Sequence, residues 1–498
     1  MGDNKPKDQG LGADLLGIGK SGLFIAKQSM STTSHNIANA NTEGFSRQEV
    51  RSETGNPSAE GNYVIGTGVE IQTIRRAHDD LIEKKLNNSI TSHKFNEQRT
   101  TQLGHVEEVF NEINSDGMNK VLNRFFNSMR ELSSQPENET VRNLVKENAK
   151  IVVGDFHRIQ DNLDQIRSGI NKKVDLSIQE INGLTATIAK LNKEINVQEV
   201  SGGMANDLRD QRDNSLRTLA EFFPIQVYTD NKDQFVVSIE GVGSIVAGGL
   251  AQELAAGFSV QDGSSSVDKG NTELYFANRP GIPFTEKIKS GSLGGLFKTR
   301  NDEVEGLEKQ LDELAHGLVL ATNAIHRRGF ANHLVPTDAQ GNPIPNAAQK
   351  KVTGINFFKE PIDLKRAAEY IDISDEIKED VNNIAAALEA NKPGDNRVAL
   401  AISKLQHEKV LGSGTTTFEE QYLKSVGNIG LQTGKSKIDE EQSAGILAQA
   451  KSFKERLSGV SLDEEAANMV RYQNAYEASA KIIKASDEMF KSVMNLLP

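Results

Sequence analysis

The sequence predicts a mainly α, elongated, multi-domain protein with long coiled-coil-like helices, paired N- and C-terminal helices, and β- and loop-rich insertions in the middle. Three observations predict it. Of 12 prolines, seven lie between Pro224 and Pro361, while 58–135, 137–223 and 394–497 contain none. An interior proline costs a helix about 3 kcal/mol, so those stretches permit long helices. Apolar residues recur within them at alternating steps of three and four, the signal of a helix seam. Both ends of the chain also carry apolar positions seven residues apart.

Residues 1–14 are polar, mixed in charge and without an apolar stretch. They are expected to be a disordered N-terminal extension and do not fit a secretory signal peptide. Met1-Gly2 opens like a myristoylation site, but Pro6 stands where Ser or Thr is needed. Residues 15–60 read as an N-terminal helix and turn, expected to pair with a C-terminal helix over 460–498. The helical body comprises 61–223, 291–330 and 375–459. Within it, Val152, Phe156, Ile159, Leu163, Ile166 and Ile170 form a seam. The seam resumes one residue out of step at Val174, Ile181, Leu184, Ile188, Leu191 and Ile195, a coiled-coil pattern with a single skip. Gly202-Gly203 breaks it, and Leu208, Leu216 and Leu219 mark a helix that returns alongside. The same spacing recurs from Leu293 to Ile325. Residues 224–290 read as a β-rich insertion, with Ile225–Tyr228 and Phe235–Ile239 flanking an Asp-Asn-Lys-Asp turn. Residues 331–374, rich in Pro and Gly, read as a further insertion or small domain. No internal repeat of roughly 20–50 residues is apparent, which argues against a solenoid.

At the start of the chain Leu16, Leu23, Met30 and Ile37 share a stripe with the small residues Gly19, Ala26 and Thr33. At its end Leu462, Met469, Tyr476, Ile483, Phe490 and Leu497 follow one another at the same seven-residue spacing. Ser461 and Glu464 give this second helix a capping-box start. Six buried knobs contribute on the order of 10–18 kcal/mol. Ordering about 37 backbones costs roughly 1–2 kcal/mol each, which intrahelical hydrogen bonds only partly offset. Such a helix is marginal alone and needs a partner. On pattern alone, the core of a monomeric bundle fits as well as a seam completed by assembly.

Composition narrows the function classes. The net charge of −12 comes from 57 basic and 69 acidic residues mixed along the chain. That argues against nucleic acid or an anionic membrane surface, either of which calls for a concentrated basic face. No apolar run approaches the ~18–20 residues of a membrane span. Cysteine is absent, which excludes disulfides, thiolate nucleophiles and Cys-based metal sites. With 20 Phe, 7 Tyr and no Trp, the chain suits an elongated protein better than a thick, aromatic-rich enzyme core. Gly17–Gly22 matches part of a phosphate loop, but Asp14 stands where its first glycine belongs. The nine His make neither a His-x-x-x-His pair nor a His-Glu-x-x-His motif. No Gly-x-Ser-x-Gly elbow is present. The sequence therefore offers no catalytic, metal-ligating or cofactor-binding residue, and no cofactor is expected.

The segment Ser31-Thr-Thr-Ser-His-Asn-Ile-Ala-Asn-Ala-Asn-Thr-Glu-Gly-Phe-Ser-Arg47 closely resembles the signature of bacterial flagellar rod, hook and hook-associated proteins. There, Asn-Ile-Ala-Asn-x-x-Thr-x-Gly-Tyr/Phe closes an N-terminal helix and turns into the next domain. The resemblance assigns that turn to Asn36, Asn39, Asn41, Gly44 and Phe45. Asn39, Asn41 and Gly44 are residue types that tolerate a helix end and a positive φ. Glu43 replaces a usual Pro and Phe45 a more usual Tyr. The run from Ser458 through Leu462-Asp-Glu-Glu-Ala-Ala-Asn468 to Phe490 is similar to the hook-associated branch that joins hook to filament. Leu293–Arg300 and Asn323–Phe330 extend the resemblance.

The resemblance implies a structural adaptor and not an enzyme. It implies a homo-oligomeric ring with hook protein on one side and the next hook-associated protein or the filament side on the other. It also implies passage through the flagellar type III export apparatus to an extracellular flagellum. A dedicated export chaperone at the C-terminal region, no nucleic acid and no membrane insertion belong to the same expectation. The two seven-residue stripes are the expected subunit-assembly residues. A hook or distal-rod axial protein is the alternative within the class. An enzyme such as a cell-wall hydrolase on an axial scaffold is the alternative outside it, and would need a carboxylate or Cys/His constellation in a compact domain.

Overall fold

The computed structural model describes residues 11–60, 63–110, 117–200, 202–231, 233–258, 270–340, 342, 344 and 351–495. Of the expected N-terminal extension, 1–10 lie outside the described residues. Residues 11–14 belong to the first helix, α1 (Leu11–Ala38), where Leu11 and Ala13 are good helix formers.

After the motif turn the chain forms β1 (Gln48–Thr54), β2 (Ser58–Glu60), β3 (Tyr63–Ile65) and β4 (Val69–Arg76). β1 and β4 pair antiparallel with Val50 opposite Ile74, and β2 pairs with β3. The helical body therefore does not begin at 61. Val69, Ile71 and Thr73 alternate with Glu70 and Gln72 at period two, which suits a strand and leaves a helix no continuous apolar face. The body begins at α2 (Asp80–Val109), whose N-cap Asp79 accepts from the Leu81 and Ile82 amides at 2.8 and 3.1 Å.

Next come α3 (Met118–Ser134), α4 (Glu139–Val200) and α5 (Asn206–Ala220). With 62 residues, α4 extends about 93 Å at ~1.5 Å per residue. It passes through two cores. Val152, Phe156, Ile159 and Leu163 bury against the first. Ile170, Val174, Ile178, Ile181 and Ile188 bury against the second. The helix changes partners at Ile166, which packs against both cores, and the skip between Ile170 and Val174 follows just inside the second.

The second core is closed by a four-stranded antiparallel sheet in the order β5-β6-β7-β8: Ile225–Thr229, Phe235–Ile239, Gly243–Ala247 and Leu250–Ala251. The expected hairpin is β5–β6, with Val227 opposite Val237. A separate ribbon pairs β9 (Leu254–Phe258) with β10 (Thr272–Phe276). Asparagines on α4 pin these strands. Asn182 exchanges two 2.9 Å bonds with the Leu254 backbone, and Asn192 donates to the Gly248 carbonyl at 2.8 Å.

The chain returns through α6 (Gly291–Lys298), a wider turn at Thr299–Val304, and α7 (Glu305–His326). Residues 331–374 are not a separate domain. Phe357, Phe358, Ile371 and Ile373 are fully buried in the first core, where Phe357 and Phe358 lie 5.6 and 5.9 Å from Phe125. Nor are 375–417 long helix. Together with 331–374 they hold, among the described residues, only short α-helical pieces: α8 (Ala367–Tyr370), α9 (Asp375–Glu379) and α10 (Arg397–Lys404). The aperiodic apolar residues of this stretch wrap the body as irregular chain, and α7 side chains satisfy its backbone. Asn323 donates to the Phe358 carbonyl at 2.9 Å and accepts from the Phe357 and Phe358 amides at 2.9 and 3.0 Å. His326, wholly buried, bonds the Ile355 carbonyl and the Ala385 amide, both at 2.8 Å.

Two helices finish the chain, α11 (Phe418–Ser458), opened by a Thr417–Glu420 capping box, and α12 (Leu462–Met494). α11 lies along α2 through small and polar groups, including Thr100 and Ser436 hydroxyls 2.8 Å apart. α12 lies along α1.

Candidate assembly interface

α1 and α12 run antiparallel, and small residues bring them together. A Cβ built on Gly19 would stand 2.8 Å from Ile483 Cγ1, and one on Gly22 would stand 2.9 Å from Ser479 Oγ. Larger residues here would force the helices apart. The glycines of the phosphate-loop-like segment thus serve helix packing in the middle of α1. The most buried line of α1 is Gly19, Ala26, Ser29, Thr33 and Asn36. On α12, Glu465 and Ser486 are buried, and Asn468, Met469, Tyr472, Ser479 and Ile483 are half-buried.

The large residues of the two stripes flank this line. Leu16, Leu23 and Met30 are half-buried, as are Met469 and Ile483. Ile37, Leu462, Tyr476 and Phe490 are exposed in the single chain, and Leu497 lies outside the described residues. Other large apolar groups on the pair also face solvent, among them Phe24 at 59 % and Val470 at 57 % exposure.

The motif residues divide between a turn and a buried cluster. Asn39 caps the end of α1, donating to the His35 carbonyl at 3.0 Å and accepting from the Thr42 hydroxyl at 3.2 Å. Asn41 is exposed. Gly44 takes φ +82°, a conformation glycine adopts without penalty, and Phe45 sets its ring edge-on to His35 at 5.4 Å. Asn36 is not part of the turn. It sits in the last turn of α1, 1 % exposed, and its amide exchanges bonds with the Gln48 backbone at 2.9 and 3.0 Å. It also donates to Glu465 Oε2 at 3.1 Å, while Arg47 Nε donates to Glu465 Oε1 at 2.8 Å.

This cluster ties α1, β1 and α12 to the body. The Arg47 amide donates to the Ser458 carbonyl at 2.9 Å, at the end of α11. The Ser46 amide donates to Asp210 on α5 at 2.9 Å. Asp210 also pairs with Arg76 at 2.8 Å, and Asp213 pairs with Arg76 at 2.6 Å. Burial works against the Arg76 charge, but the Asp213 and Asp210 carboxylates outweigh it and raise Arg76 above its ordinary pKa.

Three family models cover the elements just described. The flagellar hook-associated protein FlgK helical domain matches 103–342, the C-terminal region of the flagellar basal body rod FlgEFG proteins matches 456–496, and the flagella basal body rod protein matches 16–45. Flagellar hook-associated protein 1 of Bacillus subtilis is 27 % identical over 519 residues, covering 96 % of this chain and 97 % of that protein. The chain is thus similar to flagellar hook-associated protein 1 along nearly its whole length. Its Escherichia coli relative is 23 % identical over 552 residues, spanning 97 % of this chain and all of that one. Its Salmonella typhimurium relative is 24 % identical over 559 residues, with the same coverage. The flagellar hook junction protein FlgK from Burkholderia pseudomallei shares the fold, with a TM-score of 0.62, 16 % identity, and coverage of 75 % of this chain and all of that one.

In this chain the sequence stripes did not identify Arg47, Arg76, Asp210 or Glu465 as parts of one cluster. One signal was available for Glu465. It lies three residues after Leu462 and four before Met469, the alternate position of the same seven-residue seam, where an acid breaks the pattern. Among the described residues no group of three or more His, Asp and Glu is arranged to hold a metal ion. No described helix is long and apolar enough to cross a membrane.

Proposed function

We propose that this chain is a structural subunit of the bacterial flagellum that joins hook to filament and is required for filament assembly. Copies form a ring, with hook protein on one side and the next hook-associated protein or the filament on the other. The observation that carries this reading is the terminal helix pair. Its internal contact is made by small residues, Ile483 against Gly19 and one polar cluster, while other large apolar side chains, Phe24 and Phe490 among them, remain outside for neighbouring subunits to cover. The seven-residue stripes are the assembly residues in this reading, with the turn at Asn39–Phe45 setting how the pair leaves the body. The chain is secreted through the flagellar export apparatus and acts outside the cell without catalysing a reaction. An export chaperone holds the C-terminal region until secretion, which would keep those apolar faces covered.

Immunogold labelling of isolated flagella tests it. Label confined to the boundary between hook and filament is expected. Label along the hook shaft or in the rod would overturn the junction reading in favour of a hook or rod subunit.

A further inference from the structure

Most of the α1–α12 seam fits more than one alignment. On α1 the line is made of the small residues Gly19, Gly22, Ala26 and Ser29, with Gly19 against Ile483 and Gly22 against Ser479. On α12, Ser479 and Ser486 are seven residues apart and equally small. Sliding α12 by seven residues, about 10.5 Å at ~1.5 Å per residue, would bring Ser486 opposite Gly22 in place of Ser479. The same slide would set Phe490 against Gly19 in place of Ile483, one large apolar group for another, so seam packing distinguishes the two arrangements only by the size of that side chain.

Glu465 does distinguish them. It is 1 % exposed, and each of its carboxylate oxygens has its own partner, Arg47 Nε at 2.8 Å and Asn36 Nδ2 at 3.1 Å. Neither partner can follow a sliding helix. Two bonds to the Gln48 backbone hold the Asn36 amide. The Arg47 backbone is fixed by its amide bond to Ser458 at 2.9 Å and by the Ala77 amide, which donates to its carbonyl at 2.7 Å. In the slipped arrangement Tyr472 would stand at Asn36, and Arg47 Nε would lose its carboxylate.

We propose that Glu465 is the register lock of the terminal helix pair: a positioning residue that admits one alignment of α12 on α1. A buried polar contact adds little net stability compared with an apolar one, but specifying register is its best-attested use. The lock has a consequence for assembly that rests on the junction reading above. It fixes the height at which the outward apolar side chains of α12 meet a neighbour.

The chain contains no cysteine, so the register can be read by engineered disulfides. A Cβ built on Gly22 lies 3.7 Å from Ser479 Cβ, inside the roughly 3.5–4.5 Å window of a disulfide. Gly22→Cys with Ser479→Cys reports the native register in the isolated full-length chain, and Gly22→Cys with Ser486→Cys reports the slipped one. With Glu465 intact, mass spectrometry after mild oxidation should find the 22–479 link and little of 22–486. Glu465→Ala should move the ratio toward 22–486 by about tenfold or more, as expected for loss of hydrogen bonds to a charged group. Asn36→Ala should move it the same way. A 22–479 link that stays dominant in both variants overturns the proposal. Loss of both links together also overturns it, because Glu465 would then hold docking and not register. These links form within one chain, so their outcome is independent of where the protein sits in a flagellum.

Discussion

Lowering the pH should loosen the first core through His326. The ring is wholly buried, and its partners fix its tautomer: the Ile355 carbonyl must accept from Nδ1, and the Ala385 amide must donate to Nε2. The neutral ring satisfies both. A second proton would set Nε2–H against the Ala385 N–H. Burial pushes the pKa down to about 4, with the Arg142 charge acting the same way and the Ile355 carbonyl opposing. The unfolded chain takes up this proton near pH 6.5, whereas the folded chain refuses it until about pH 4. Between those values the unfolded state binds more protons, so stability falls as pH falls. The contribution is intact above pH 6.5 and declines by about 1.4 kcal/mol per pH unit, amounting to about 3 kcal/mol by pH 4. Urea unfolding of the wild type and His326→Gln at several pH values between 7.5 and 4.5 isolates the effect. The wild type should lose stability with acid more steeply than the variant. Equal slopes, or a His326 NMR titration centred near its ordinary value, would refute the argument.

Asn323→Ala strands the Phe357 and Phe358 amides and the Phe358 carbonyl, and should destabilise the body by about 4 kcal/mol in urea titrations. A loss under about 1 kcal/mol would mean water replaces the side chain. Ile483→Asp removes a knob worth ~1.5–3 kcal/mol opposite Gly19 and should leave the melting of the body nearly unchanged. Cells should then carry hooks without filaments and shed filament protein, while Lys484→Ala, exposed beside it, is tolerated. Normal filaments with Ile483→Asp would remove the pair from the assembly surface. Gly22→Leu, which drives a side chain into Ser479, should make α1 and α12 the first segments cut in limited proteolysis, and unchanged cleavage would count against close packing there.

Legibility in the sequence followed from how each element buries its residues. The seam of α4 was readable because Val152 to Ile195 alternate at helical spacing, and its skip was visible as an irregularity. That the helix changes partners at Ile166, shortly before the skip, depends on which elements arrive from far along the chain. The β5–β6 hairpin was readable from two apolar runs around a turn. β1 and β4 were not, because β1 is largely exposed and carries Gln48, Glu49, Arg51 and Glu53. The stretch 331–417 has no period at all, so Pro and Gly suggested an insertion, while Phe357, Phe358, Ile371 and Ile373 enter the core from irregular backbone. In the interface the stripes marked two helices that do pair, but size misled. The closest approach is at Gly19 and Gly22, against Ile483 and Ser479, and large stripe residues such as Tyr476 and Phe490 are exposed. Asn36 was flagged by its motif, yet its bond to Glu465 spans 429 positions that local pattern does not connect.

The passage of α4 through both cores has a mechanical consequence. Two cores joined by a loop could part under tension at the loop. Here they share one continuous helix, and a pull applied at the sheet end is carried along consecutive backbone hydrogen bonds into the helical end. The strands are stitched to that strut by Asn182 and Asn192, and Phe156 and Leu163 anchor it in the other core. A body of this construction carries load from one core to the other through a single unbroken strut.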